Sequence, residues 1–184
     1  RTTNKTDIQR LTAYSQWSHK GLWGKTLYWF NLGVRTHRWE VNNRDAQWVL
    51  SPRAQLSFRP KNKEHVLFRV AIGDYAQPPF YRELRDENGH VNTQIKAQRS
   101  LHLVSGYEHS FSMWDRPFVF RSELYYKRLS DLNPYTLENV RIRYSAENTG
   151  KGYAYGLDMR LNGEFVPGTE SWVSLGLIST KENI

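Results

Sequence analysis

The sequence contains no cysteine. That excludes a small secreted domain held by disulfides, and a zinc site built on thiolates. Cytosol and outer membrane both stay open. There is also no run of about 18 or more apolar residues, which excludes a transmembrane helix. The same absence does not bear on a transmembrane barrel, whose strands alternate and therefore average out as polar. The mean hydropathy of -0.73 is thus uninformative between the two. No helical period of convincing length, internal repeat, low-complexity stretch or domain linker appears. The chain begins with Arg1, without a signal peptide, and is expected to be a processed chain or an excised segment.

Motifs of enzyme chemistry are missing as well. Nothing like G-x-S-x-G occurs, and GKGYAYG lacks the spacing and the Lys-Ser/Thr ending of a phosphate-cradling loop. Glu83 and Asp86 have no partner that would make them a catalytic dyad. His102 and His109 differ in parity, so they face opposite sides of one strand and cannot share a metal. His90, in RELRDENGH, reads as part of a solvated loop tip. No catalytic residue, metal site or cofactor is expected, and the chain is not expected to be an enzyme.

What the sequence does have is charge, aromatic rings and alternation. The net charge is +8, which favours an anionic partner such as nucleic acid, lipopolysaccharide or an acidic ligand. Eleven Tyr and 7 Trp suit a binding surface or the aromatic girdles of a membrane barrel. GYAYGLDMRLNGEF (152–165) sets Tyr153, Tyr155, Leu157, Met159 and Leu161 against Ala154, Gly156, Asp158, Arg160 and Asn162. Period two means a strand with one oily and one polar face.

Strands are expected at about 6–17, 25–40, 47–59, 65–74, 97–112, 117–128, 150–165 and 170–182. Many reach ten or more residues, against the five or six typical of soluble strands and about 9–11 needed to cross a bilayer. The connections 60–64, 113–116 and 166–169 are short; 41–46 is medium; 75–96 and 129–149 are long. Short periplasmic turns and long extracellular loops make the same asymmetry in outer-membrane barrels.

The polar faces carry Arg35, Arg53, Arg59, Arg69, Arg121, Lys127 and Arg160, offset by Glu108, Glu123, Asp158 and Glu164. Of these, Arg53, Arg69, Arg121, Glu123, Asp158 and Arg160 are the residues expected to line a solvated lumen wall, with internal ion pairs. Gly73, Gly106, Gly156 and Gly176 recur on the same face. Glycine inside a strand often marks close approach by another backbone, here a plug inside a barrel. Two other readings remain. One is a complete eight-stranded outer-membrane barrel with a structural or adhesion role. The other is a soluble basic β-sandwich that binds nucleic acid or glycan.

One ordered series of segments goes further: WVLSPRAQLSFRP (48–60), HVLFRVAIGDYAQPPFYREL (65–84), SLHLVSGYEHSF (100–111), FVFRSELYYKRLSDL (118–132) and AENTGKGYAYGLDMRLNGEF (146–165). The series resembles the barrel domain of TonB-dependent outer-membrane receptors, with a flavour of the Bacteroidota group. The resemblance covers most of the chain from about residue 48 onward. It implies an all-β, antiparallel up-and-down transmembrane barrel segment, about eight strands of a barrel of about 22. Residues 1–184 would then be a partial barrel, with neither plug domain nor TonB box visible.

The resemblance further implies energy-coupled uptake of a scarce nutrient (a siderophore, cobalamin, glycan or peptide) at the bacterial outer membrane. Implied partners are outer-membrane lipid and lipopolysaccharide, the TonB complex through the missing N-terminal region, the nutrient, and a surface lipoprotein. Nucleic acid is not among them. The ligand-facing residues would be Tyr75, Tyr81, Arg82, Arg85, Tyr135, Arg141, Arg143 and Tyr144, in the long loops 75–96 and 129–149.

Overall fold

The computed structural model describes residues 6–42, 44 and 46–183. Six long strands come first: β1 (Ile8–Trp23), β2 (Thr26–Val41), β3 (Gln47–Pro60), β4 (Val66–Gln77), β5 (Gln98–Met113) and β6 (Arg116–Leu132). A small hairpin follows, β7 (Tyr135–Glu138) with β8 (Arg141–Tyr144), and then β9 (Gly150–Val166) and β10 (Thr169–Asn183). All eight expected strands are present. The largest difference is in β1, which continues past 17 to Trp23. SHKGLW alternates poorly by itself, but it pairs residue for residue with β2 down to Trp23 opposite Thr26. The β7–β8 hairpin lies inside a stretch expected to be loop, and its four-residue strands are too short to leave a period.

Every neighbouring pair is antiparallel, and the large sheet runs β1-β2-β3-β4-β5-β6-β9-β10. Among the described residues β1 pairs only with β2 and β10 only with β9, so the sheet is open. Apart from the β7–β8 hairpin, the described residues form no second sheet. Neither the sandwich nor the closed eight-stranded barrel is the form this chain takes among these residues.

Register ties the faces together. One rung runs across seven strands as Phe30, Leu56, Val70, Ser105, Leu124, Leu157 and Leu177. The adjacent rung, on the opposite face, runs Lys20, Trp29, Ser57, Arg69, Gly106, Glu123, Asp158 and Gly176. A one-residue slip in any strand would exchange its two faces. The oily rung is not a core: Val70 is 48%, Leu124 58% and Leu177 55% exposed. An apolar surface this extensive marks a face made to be covered from outside the chain.

Connections alternate between the two ends of the sheet. At one end lie Gly24–Lys25, 61–65, Trp114–Asp115 and Pro167–Gly168. At the other lie 42–46, 78–97 and 133–149. The expected asymmetry is therefore present, and it extends to the turn at Gly24–Lys25. The compact apolar cluster sits at the long-connection end. There Leu84, Ile95, Ala97 and Ala146 pack with Trp39 and Val41, flanked by Ile8, Val49, Ala76 and Val91.

Candidate functional site

The two long connections form one folded cap. Asn133 is buried: its Nδ2 donates to the Glu83 carbonyl at 2.8 Å, and its backbone N–H donates to Gln98 Oε1 at 3.3 Å. Gln98 Nε2 in turn donates to Glu83 Oε1 at 3.1 Å, and the Phe80 N–H donates to Glu83 Oε2 at 2.8 Å. Asn92 Nδ2 reaches the Ala146 carbonyl at 2.9 Å, and Asn148 exchanges bonds with the backbone of Lys96. Side-chain amides thus replace the strand ladder where the backbone turns irregular, as buried polar groups require. Glu83 is part of this framework. The cap is tied to the sheet by the Arg10 guanidinium on the Pro79 carbonyl and by Gln47 Nε2 on the Thr93 carbonyl at 3.0 Å.

A cleft of about 320 Å³ opens in this cap between the turn at 81–89 and the β7–β8 hairpin. Tyr81, Arg82, Arg85, Arg141, Arg143 and Tyr144 all line it, so the structure brings together six of the eight residues expected to face a ligand. Tyr135 stands beside Tyr144 across the hairpin, their rings 6.1 Å apart. Tyr75 is elsewhere. It belongs to strand β4 rather than to a loop, and its ring lies 4.4 Å from that of His102 and 5.5 Å from the Arg53 guanidinium. The strand continues past 74 because Asp74, Tyr75, Ala76 and Gln77 all pair with β5.

Sequence reasoning missed Asp86, Glu87, Gly89 and Ile142, which share the cleft. Asp86 had a signal: in D-E-N-G-H its carboxylate accepts from the His90 N–H at 2.7 Å, and the His90 ring nitrogen lies 3.3 Å away. Desolvation pushes this carboxyl upward. The bonds from the His90 backbone and ring, with the His90 charge and the Asn88 N–H, outweigh it and hold it below the usual carboxylate value.

Charge in the cleft is unevenly committed. Arg143 pairs with Glu138 at 2.8 Å, Arg85 Nη2 donates to Thr6 Oγ1 at 3.2 Å, and Arg82 Nε donates to the Tyr81 hydroxyl at 2.8 Å. Arg141 makes no ion pair among the described residues. Planar guanidinium groups beside tyrosine rings suit a polar or anionic group.

The polar face of the sheet holds a second hollow, of about 490 Å³. Arg69, Arg121, Glu123, Asp158 and Arg160 line it together with Gly106 and Glu108, and Arg53 lines a neighbouring hollow with Tyr75. The expected wall residues therefore share one face. The expected ion pairs are mostly not there: Arg121 meets Glu108 at 2.7 Å, and no other wall residue makes one among the described residues. Several of the cations lie over rings instead. Arg53 faces Tyr75, Arg59 faces Trp29 at 5.8 Å, Lys127 faces Tyr125 at 5.4 Å and Arg160 faces Trp172 at 4.7 Å.

Two of the glycines also take on another meaning. A Cβ at Gly73 would sit 2.8 Å from the Tyr75 ring, and one at Gly156 would run into the Tyr125 hydroxyl. Their space is filled by this chain's own tyrosines, so they do not by themselves report a plug.

These features define an open, antiparallel, barrel-type sheet with one apolar and one polar face and a structured cap at one end. No family model matches the chain, and no curated protein matches it. Its fold is shared with a solved copper transporter, OprC, at a TM-score of 0.68 and 12% identity, over 96% of this chain and 29% of that one. The chain thus spans under a third of the length of the transporter it matches, and at this identity the likeness is one of fold.

Proposed function

We propose that the chain is a wall segment of an outer-membrane importer of the TonB-dependent type. Its oily face meets lipid, its polar face meets the lumen, and its cap faces the outside. The observation that carries this is the pair of rungs, one apolar and exposed, one polar, repeated along strands long enough to cross a bilayer. In β6, Phe118 to Tyr126 presents no outward charge, and nine residues at about 3.4 Å rise and about 40° tilt give roughly 21 Å of height. The fold likeness to a transporter supports the same reading.

In this reading the plug and the TonB-binding segment belong to other parts of the whole protein, and the lumen wall meets the plug. A siderophore, cobalamin, glycan or peptide would first meet the cap cleft, where arginine and tyrosine favour ligands with a polar or anionic group. Copper is named for the structural relative alone. Among the described residues here, no group of three His, Cys, Asp or Glu side chains is placed to hold a metal ion.

The absence of cysteine from these 184 residues allows a direct test, with any cysteine elsewhere in the whole protein replaced by serine. Glu123→Cys and Leu124→Cys, each spin-labelled in the whole protein in bilayers, should differ in kind. The label at 124 should respond to oxygen in the lipid, and the label at 123 to a water-soluble nickel relaxant. Equal exposure of both labels to water would sink the membrane reading.

A further inference from the structure

Arg141, Ile142, Arg143 and Tyr144 are the whole of β8, and all four line the cleft in the cap, whereas β7 contributes nothing to it among the described residues. Successive side chains of a strand point to opposite faces. A cleft touched by four in a row therefore runs along the edge of the strand and not over one of its faces. Among the described residues β8 pairs only with β7, and the opposite wall, the turn at 81–89, adds no strand to it. Both walls belong to connections between interior strands, β4 to β5 and β6 to β9, each of which has its two sheet neighbours in this chain.

The turn sets which backbone groups this edge presents. Asn139 and Val140 both have positive φ, 45° and 68°, as in the two-residue turn whose flanking residues exchange backbone hydrogen bonds. Glu138 and Arg141 are that flanking pair, and bonded and non-bonded pairs alternate from there along the hairpin. Thr136–Arg143 is bonded again, and the Ser145 N–H on the Pro134 carbonyl at 2.8 Å keeps the same count. Leu137–Ile142 and Tyr135–Tyr144 are the non-bonded pairs. The N–H and C=O of Ile142 and Tyr144 thus point away from β7, on the side of the cleft. Such an edge is a template for another strand.

The two faces beside it differ. Ile142 and Tyr144 share one with Leu137 and Tyr135, and there Ile142 is 54% and Leu137 69% exposed. Arg141 and Arg143 share the other with Glu138 and Thr136. Glu138 pairs with Arg143, which leaves Arg141 without an ion pair among the described residues. Across the cleft stand Arg82 and Arg85, with Asp86, which His90 engages, and Glu87. The lining carries four guanidinium groups against two carboxylates, and Glu138 meets one of the four from outside it.

We infer that the edge of β8 binds an extended peptide as a third strand of the hairpin, with an acidic side chain set against Arg141 and apolar ones on the Leu137–Ile142 face. Peptide N–H and C=O groups pair with those of Ile142 and Tyr144, and four paired residues at about 3.4 Å rise run roughly 14 Å along the cleft. The backbone bonds supply affinity, and the alternation of side chains supplies choice. A compact anion such as phosphate would meet Arg141 but leave the outward backbone groups and the apolar face uncovered. The inference rests on the importer reading, and it selects peptide from the ligands proposed there.

The test uses the whole protein in detergent and fluorescence anisotropy of the dye-labelled peptide Leu-Glu-Leu-Glu-Leu. N-methylation of alternate residues blocks one edge of a strand and spares the other. Methylating one set, the two glutamates or the last two leucines, should weaken binding at least about tenfold, and methylating the other should be tolerated. The sensitive set is the leucines if the peptide runs antiparallel to β8, and the glutamates if it runs parallel. Arg141→Gln should weaken binding about tenfold while leaving the neutral Leu-Gln-Leu-Gln-Leu unaffected. No binding of the parent peptide, equal effects of the two methylations, unchanged affinity in Arg141→Gln, or equally tight binding of Leu-Lys-Leu-Lys-Leu overturns the site. The labels at 123 and 124 judge the importer reading separately. If they differ in kind and the peptide fails, the site alone falls; equal exposure of both to water removes the reading beneath it.

Discussion

Val140 holds φ at 68° while 98% of its surface is exposed, at the turn joining β7 to β8. A β-branched side chain in the left-handed region costs about 1–2 kcal/mol and here gains no packing in return. Val140→Gly would turn Asn139–Val140 into the Asn-Gly pair that such turns favour. Stabilisation of the hairpin by about 1 kcal/mol is expected, read as slower amide exchange in β7 and β8; unchanged exchange would count against the strain. Gly156 is the opposite case. A Cβ there would also come 2.5 Å from the Leu177 carbonyl, a backbone atom that cannot swing aside, whereas at Gly106 the nearest atom lies at an ordinary 3.5 Å. Gly156→Ala should therefore cost about 1–3 kcal/mol and Gly106→Ala much less, compared by urea titration of the folded protein in detergent. Similar midpoints for both would contradict the close approach.

At the level of elements, side-chain amides join the apolar cluster in holding the cap together. Asn133→Ala removes the bond to the Glu83 carbonyl and leaves buried groups without a partner. About 1–3 kcal/mol of local stability should go with it, and limited proteolysis should begin within 78–97 and 133–149 while the strands stay protected. Cleavage at the wild-type rate would mean the cap is held elsewhere. The turn at Asp86 carries a pH dependence of known sign. Its carboxyl is lowered in the folded chain, so its contribution is present above the ordinary carboxylate value and disappears as pH falls through the lowered one. Exchange of the His90 amide should accelerate over that acid window, and Asp86→Asn should remove the dependence. Persistence of the step in the variant would assign it to another group.

For the whole molecule, the sidedness of the sheet predicts sharply unequal tolerance. Leu124→Arg places a cation in the middle of the apolar rung and should cost about 2–4 kcal/mol of insertion, lowering the amount recovered in the outer membrane. Glu123→Arg, one residue away but facing the polar hollow, should leave that amount nearly unchanged. Equal recovery of the two would remove the distinction between lipid and lumen.

The strands and their two faces were legible from residue order alone, because a strict period of two leaves a strand one way to segregate oily from polar side chains. Tyr153 to Leu161 in β9 is the plainest instance. Loop lengths likewise disclosed which end carries the long connections. The sequence also pointed to the tyrosines and arginines of the cleft, as residue types in two long connections, yet it could not bring 81–85 together with 141–144. Only tertiary structure did that, through amide bonds such as Asn133 to Glu83, fifty positions apart and without a local period. Tyr75 went astray for the same reason: cross-strand pairing with β5 carried β4 onward beyond its own pattern. Tertiary structure also decided that the oily rung stays uncovered by this chain. Alternation is the same whether a face turns toward a core or toward lipid; what the structure adds is that no second sheet lies over Leu124 and Leu177 among the described residues.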